Sequence, residues 1–273
     1  MGRMCTLLEV SRSGFYAWDQ REASPRAVES AQILEEIKTV HSESRSTYGS
    51  PRVHAELRRR GRRCGKKRVA RLMAKGGLRS RVRRRFRPRT TDSKHSLPVH
   101  ENLLAGDVKP TALDQIWVAD ITYVPTGEGW LYLASVLDLY SRKVVGWSMK
   151  ATLRTELVLE ALDMAFLARQ PGKGLIHHSD RGSQYASGEY QKALKARGAV
   201  PSMSAKGYCY DNATKESFFH SLKTELVHDE EYETHEQAKA SIFEWIEAFY
   251  NRTRIHSSLG YCSPAEFEAA LTS

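Results

Sequence analysis

Three acidic residues stand where the surrounding pattern argues against acids. Asp120 lies inside the alternating run QIWVADITYVP, on the face shared by Ile116, Val118, Thr122 and Val124. Asp180 ends the short apolar run LIHHSD, just before RGSQY. Glu216 sits in GYCYDNATKESFFHSLKTEL, a helical pattern that begins at the capping pair Asp211-Asn212 and repeats through Phe219, Leu222 and Leu226. On a helical wheel Glu216 falls about 20° from Lys223 and about 60° from Phe219, where a core-facing residue would be expected, at the edge of the buried stripe. Aspartate is depleted in strands, and burying its charge alone is costly. Carboxylates packed together raise one another's pKa unless a cation compensates. Magnesium and manganese take oxygen ligands, and two such ions about 3.5–4 Å apart stabilise the attacking and leaving oxygens of an in-line phosphoryl transfer. Asp120, Asp180 and Glu216, drawn from separate elements, could hold such a pair. Zinc is the poorer choice. His177 and His178 are adjacent, so on a strand they point to opposite faces, and both read as structural. Glu225 points away from the line of Glu216 and Lys223 and reads as a solvated surface acid.

Charge is the second signal. From Arg45 to Lys94 there are 20 Lys and Arg against two acids, Glu56 and Asp92, a segment charge of +18. The remainder carries 22 basic against 30 acidic residues, or −8. That partition describes a polyanion-binding module joined to a mildly acidic body. Within the basic segment, Ser50 and Pro51 can open a helix with Val53 and Leu57 inside, and GRRCG makes a glycine-bounded turn. A second helix is expected over Lys66–Lys75, with Val69, Leu72 and Met73 inside and Gly76-Gly77 as its stop. The pair reads as a helix-turn-helix whose second helix exposes Lys67, Arg71 and Lys75 to DNA. Seven arginines between Arg79 and Arg89, Arg83, Arg84 and Arg85 among them, read as an extended segment that follows phosphates. Before the module, 26–42 has helical period through Val28, Ala31, Leu34, Ile37 and His41.

The elements that must position the acids lie in the second half. Three strands (QIWVADITYVP, GWLYLASVLD, RKVVGWSMK) precede a helix over 152–169 with Leu157, Ala161, Met164 and Ala168 inside. Then come the strand LIHHSD, a helix capped by Ser187, the strand AVPSMS, the helix of Glu216, and a helix with a Thr234–Gln237 capping box. Hairpin strands followed by strand–helix alternation predict an α/β fold, a mixed sheet carrying helices. The expected segments are 1–43, an N-terminal helical part; 44–93, the basic helix-turn-helix region; 94–113, a linker; and 114–273, the catalytic core with C-terminal helices. A hydrophobic content of 41% argues against disorder, and the longest apolar run, WLYLASVL, is too short for a membrane span. Four dispersed cysteines have neither zinc nor disulfide spacing, which suits a reducing cytoplasm.

The order Asp120, Asp180, Glu216, with Lys223 seven residues on, resembles the DDE motif of retroviral-integrase-like transposases. The strings WVADITYVPTGEGWLYLASVLDLYSRKVVGWSM, HHSDRGSQYAS, KGYCYDNATKESFFHSLKTEL and FYNRTRIHSSLGYCSPAEFE resemble bacterial insertion-sequence transposases of family three, in particular the second-frame protein. The likeness extends from VSRSGFYAW to the C-terminus. It implies an RNase H-like core, magnesium-dependent cleavage of element-end DNA and strand transfer, with Asp120, Asp180 and Glu216 as metal ligands and Lys223 on the DNA near the element end. It further implies double-stranded DNA as partner, self-association in a synaptic complex, and an upstream-frame protein or fusion that supplies another helix-turn-helix and a leucine zipper. This chain shows neither of those, so it is expected to be the downstream product. Tyr208, Tyr210, Gln184 and Asn212 are further candidates for contact with DNA or the ligands. The alternative is a non-enzymatic DNA-binding regulator or inhibitor of transposition, which would bind DNA in a salt-sensitive way without metal-dependent cleavage. An RNase H-type nuclease that cuts without rejoining is the nearest enzymatic rival.

Overall fold

Helices with one apolar stripe each need partners, and five of them gather in the first of two units, Met1–Ser80. A computed structural model describes residues 2–81, 100–105, 108–204 and 213–272. Helices α1 (Gly2–Leu7) and α2 (Arg12–Asp19) come first, α2 capped by the Ser11 hydroxyl, which accepts the Gly14 N–H. Helix α3 (Pro25–Glu43) is capped by Ser24, with proline in its first turn. Helices α4 (Ser50–Arg59) and α5 (Lys66–Lys75) follow. Val53 and Leu57 of α4, and Val69, Leu72 and Met73 of α5, are buried as the periodicity requires. Gly49 rather than Ser50 takes the N-cap position of α4. Gly76 caps α5 and Gly77, at φ 68°, turns the chain in a backbone region that glycine enters freely.

The stripe of α3 differs from the expected one. Ile33, Ile37, Val40 and His41 are buried, whereas Val28 and Ala31 are exposed. Its first turns meet α5 through polar groups instead, Glu29 and Ser30 accepting from the Arg68 guanidinium. Ion pairs Arg68–Glu29 (2.8 Å), Arg62–Glu36 and Arg60–Glu43 tie α3 to the helix-turn-helix. The expected boundary at 43/44 therefore falls inside this unit.

In the second unit, Arg81–Ser273, period-two alternation yields strands β1 (Ile116–Thr126), β2 (Gly129–Asp138) and β3 (Val144–Lys150). Helix α6 (Thr155–Arg169), strand β4 (Ile176–Ser179), the single turn α7 (Ser183–Ala186), helix α8 (Gly188–Ala196) and strand β5 (Val200–Met203) follow. The sheet order is β3-β2-β1-β4-β5. The first three strands are antiparallel neighbours, and β4 pairs parallel to both β1 and β5. This is the mixed sheet of an α/β, RNase H-like fold.

Each face of the sheet has its own core. Trp117, Ala119, Ala134, Val136 and Val145 pack under α6 and α8 through Leu157, Leu162, Tyr190 and Leu194. On α6 the buried side includes Val158 and Ala165, while Ala168, expected inside, is exposed in the last turn. Gly146 explains the close approach of β3 to this helix. A Cβ there would lie 2.2 Å from the Ala161 carbonyl oxygen. The opposite face, with Ile116, Val118, Val124, Leu131 and Leu133, is covered by α9 (Ala213–Glu225) and α10 (His235–Glu244). Helix α10 opens on the expected Thr234–Gln237 capping box and runs into a π-helical turn, Trp245–Tyr250, whose Trp245 and Ile246 are fully buried. Helix α11 (Pro264–Leu271) closes the chain. Among the described residues no helix is long and apolar enough to cross a membrane.

Candidate active site

Strands β1 and β4 run parallel, in register up to Ala119 opposite Ser179. The next residue on each is an aspartate. Adjacent strands are about 4.8 Å apart, so the topology alone brings Asp120 and Asp180 side by side where β4 ends. Strand β1 continues to Thr126 past its last pair with β4, which puts both aspartates at the carboxyl end of β4, where sheets with parallel strands form their crevices. Asp180 sets the turn that follows, its carboxylate accepting the Gly182 N–H at 2.9 Å. The Arg181 guanidinium donates to the Ser204 carbonyl at 2.8 Å and holds the same loop to the end of β5.

Asp120 carries the electrostatic load of the site. Its carboxylate accepts the Ile121 N–H at 2.7 Å. Burial drives its pKa upward, the negative charge of Asp180 adds to that, and Glu216 adds further, while Lys215 opposes them. The two other acids singled out by their sequence context thus both act electrostatically on Asp120. Among the described residues no group of three or more His, Cys, Asp and Glu is arranged to hold a metal ion. The donor set itself fits a hard divalent cation: carboxylate oxygens, excess negative charge centred on Asp120, and no sulfur.

Helix α9 buries the expected Phe219, Leu222 and Leu226 but differs from the expectation at Glu216. Glu216 is exposed, and the core-facing position belongs to its neighbour Lys215. The buried stripe runs through Lys215, Phe218, Phe219 and Leu222, which leaves Glu216 exposed to solvent. Lys215 is fully buried, and its ammonium donates to the Ser135 hydroxyl at 2.7 Å. Ser135 is the β2 residue directly opposite Asp120. The rings of Phe218 and Phe219 lie 4.9 and 5.1 Å from the same ammonium. Burial lowers the pKa of Lys215, and the charge of Asp120 works against that shift. Sequence reading missed this residue, although its spacing of three, four and seven from Phe218, Phe219 and Leu222 carries the signal. Arg142 was missed as well. It is partly buried and donates to the Thr214 hydroxyl, tying the β2–β3 turn to the first turn of α9.

Glu225 overturns its expectation as a solvated acid. It is buried and grips Arg254 with both oxygens, at 2.6 and 2.8 Å. The chain beyond the π-helical turn folds back over this side of α9, and a local wheel contains no trace of that return. Lys223 lies partly buried beside the site. Its ammonium sits 4.7 Å over the Tyr123 ring, and its pKa is lowered by burial against the pull of Asp120. His177 and His178 face opposite sides, as expected. His177 meets the Tyr190 hydroxyl at 3.1 Å, while His178 contacts the hydroxyls of Ser202 and Ser204 at 2.9 and 3.0 Å. Gln184 donates to the Leu153 carbonyl at 3.4 Å. In the first unit Lys67, Arg71 and Lys75 share the exposed side of α5. Arg83, Arg84, Arg85, Tyr208, Tyr210 and the Asp211-Asn212 cap lie outside the described residues.

Comparison with known proteins places this geometry in a class. The Integrase core domain family matches residues 110–209 and again 216–270, and the HTH-like domain family matches 29–86. A chain in the cryo-EM structure of the simian T-cell lymphotropic virus intasome with PP2A regulatory subunit B56 gamma superposes with a TM-score of 0.50 at 14% identity, over 85% of this chain and 73% of that one. The fold is that of an integrase core preceded by a helix-turn-helix-like domain. Among curated proteins, the insertion element IS600 uncharacterized 31 kDa protein of Shigella sonnei is 47% identical over 97% of both chains. Transposase InsF for insertion sequence IS3A of Escherichia coli K12 is 45% identical over 97% of this chain and 92% of its own. The chain belongs to the family-three insertion-sequence transposases, as its strings suggested.

Proposed function

We propose that the chain is a DDE polynucleotidyl transferase that cleaves element-end DNA and joins the freed 3′-hydroxyl to a second phosphodiester. Asp120, Asp180 and Glu216 are its catalytic carboxylates and the ligands of magnesium or manganese, two ions per site. The supporting observation is the convergence on Asp120, whose carboxyl is raised by burial and by the charges of both other acids. Bound divalent ions would compensate that charge, lower the pKa of the attacking water or hydroxyl, and stabilise the leaving oxygen.

The remaining work falls to side chains of this protein. Asp120 and Asp180 are fixed by strand register and by the Gly182 hydrogen bond, so they form the rigid half of the site. Glu216, exposed on α9, enters from the solvent side. Lys215 supplies a buried positive charge behind Asp120 and keeps the acids assembled. Lys223 reaches the DNA beside the scissile phosphate. Lys67, Arg71 and Lys75 meet the duplex through α5, and the arginine-rich stretch with Arg83, Arg84 and Arg85 follows the phosphates. The protein acts in the cytoplasm on nucleoid DNA, self-associated in a synaptic complex and partnered by an upstream-frame product or fusion.

The test is Glu216→Gln assayed on DNA flanking this reading frame, with and without the upstream product. The variant keeps the size of the side chain and removes its charge at an exposed position. Cleavage and joining in magnesium should fall by at least about 1,000-fold, the scale expected when a group stabilising the transition state is lost. Survival of strand transfer would remove Glu216 from the site. Supplying a pre-cut 3′-hydroxyl end and finding joined product separates this activity from that of a nuclease.

A further inference from the structure

The hairpin that leads away from Asp120 carries a feature that the fold does not require. Trp130, at the start of β2, leaves 52% of its surface in solvent. It is held in place all the same. Its ring meets Tyr123 edge to face, with centroids 4.7 Å apart, and it stands opposite Pro125 in the ladder. Tyr123 in turn carries the Lys223 ammonium over its ring at 4.7 Å. Tyr132, half-buried, is the cross-strand partner of Tyr123. Three aromatic rings and a cation thus occupy one continuous surface at the end of the sheet.

Two further observations give that surface a direction and a stiffness. Pairing of β1 with β4 stops at Ala119, so among the described residues no strand pairs with that edge of β1 beyond it. Lys223 reaches this part of β1, its ammonium lying over the Tyr123 ring while the charge of Asp120 acts on it. The hairpin tip is pinned as well. The Gly127 N–H donates to the Tyr232 carbonyl at 2.8 Å, and the His235 N–H donates to the Glu128 carboxylate at 2.6 Å. The approach is so close that a Cβ on Gly127 would lie 2.6 Å from the Glu233 carbonyl oxygen. An exposed ring on a pinned hairpin has little freedom left to lose when something stacks on it.

We propose that Trp130, Tyr123 and Lys223 form a stacking platform for unpaired nucleotides of the DNA strand that flanks the scissile phosphate. At about 3.3 Å per residue, Tyr123 lies ~10 Å along β1 from Asp120. That is the span of roughly three stacked nucleotides at 3.4 Å each. Aromatic faces hold bases of any sequence, and a cation beside them meets the backbone. The inference rests on the reading of the crevice as a DNA-processing site, and adds that the strand beyond the cut is held unpaired.

The test compares two probes on the full chain in EDTA, so that no cleavage intervenes: a fluorescein-labelled duplex with a five-thymidine 3′ overhang, and the same duplex blunt. Trp130→Ala should weaken the overhang probe about 10-fold and the blunt probe less than about 2-fold, the scale of one lost aromatic stack. Trp130→Phe should stay within about 3-fold of wild type, and Trp130→Leu, apolar but without a ring, should behave like the alanine variant. Quenching of tryptophan emission by the overhang should vanish with Trp130. Equal losses on both probes, or none on the overhang, overturn the platform while leaving the DNA reading intact. Failure of the wild type to bind either probe overturns both. A change in sedimenting mass with unchanged overhang binding would mark the surface as a protein contact and also overturn the proposal.

Discussion

Two neighbouring residues on α9, Lys215 and Glu216, illustrate how one residue of helical phase, about 100°, decides chemistry. The lysine takes the buried position and the glutamate the open one, so the helix presents a fixed internal cation and a solvent-facing carboxylate side by side. His177 shows a different kind of burial. It has no solvent exposure to speak of, its Nε2 meets the Tyr190 hydroxyl, and its Nδ1 has no hydrogen-bond partner among the described residues. Burial first, and then the neighbouring His178, bring its pKa down to about 3 from an ordinary 6.5. Between those values the unfolded chain binds a proton that the folded chain refuses, so stability falls as pH drops from 6.5 toward 3. One such group gives a slope approaching about 1.4 kcal/mol per pH unit. His177→Phe, which removes the titration and keeps a ring in the pocket, should flatten the decline of Tm between pH 6.5 and 4.5. An unchanged decline would mean that another group governs acid sensitivity. None of this was legible beforehand. Adjacent histidines on a strand announce opposite faces, but not which one loses its solvent.

At the scale of elements, legibility followed periodicity. Helix α5 and strands β1, β2 and β3 were readable because each pattern repeats within its own segment. Asp120 and Asp180 could be singled out for the same reason, as breaks in apolar runs. The errors fell where a distant segment decides exposure: Val28 and Ala31 on α3, Ala168 on α6, and above all Glu225. Its partner Arg254 arrives 29 residues later, after α10 and the π-helical turn have reversed the chain. Both side chains are nearly sealed, at 5% and 7% exposure. Removing one partner of such a pair strands the other charge, which typically costs about 3–5 kcal/mol. Arg254→Ala should therefore lower stability by about that amount and loosen the C-terminal return from α9. Replacing both partners, as Glu225→Gln with Arg254→Met, should recover most of the loss, because no naked charge remains. Urea unfolding of the three proteins checks it, and a mild Arg254→Ala phenotype would show that water reaches the pair. This pair braces the helix that carries Glu216, so its loss should also weaken metal-dependent activity without touching the crevice.

For the whole molecule, the uneven distribution of charge is the property that matters most to a polyanion. The segment from Arg45 to Lys94 is +18 and everything else sums to −8. A uniform coat of the same net charge would attract DNA over its whole surface and compete with productive engagement of the acidic crevice. Segregation confines long-range attraction to one module and leaves the catalytic body to be reached by local contacts. Lys67, Arg71 and Lys75 of that module are all exposed on α5. Each phosphate contact releases condensed counterions and contributes about 0.9 to the slope of log K against log salt. Replacing the three by Gln should reduce that slope by up to about 2.7 if all three meet phosphates, and weaken binding to unrelated duplexes in equal measure. A residue that reads bases instead behaves differently. Its loss narrows the gap between element-end and random DNA by a factor worth about 1–3 kcal/mol and leaves the slope nearly unchanged. Single substitutions titrated from 50 to 200 mM salt on both kinds of DNA therefore sort the three lysine and arginine positions into holders and readers. If the slope stays constant through all three changes, α5 is not the helix that meets DNA, and the attraction belongs to the arginine-rich stretch that follows it.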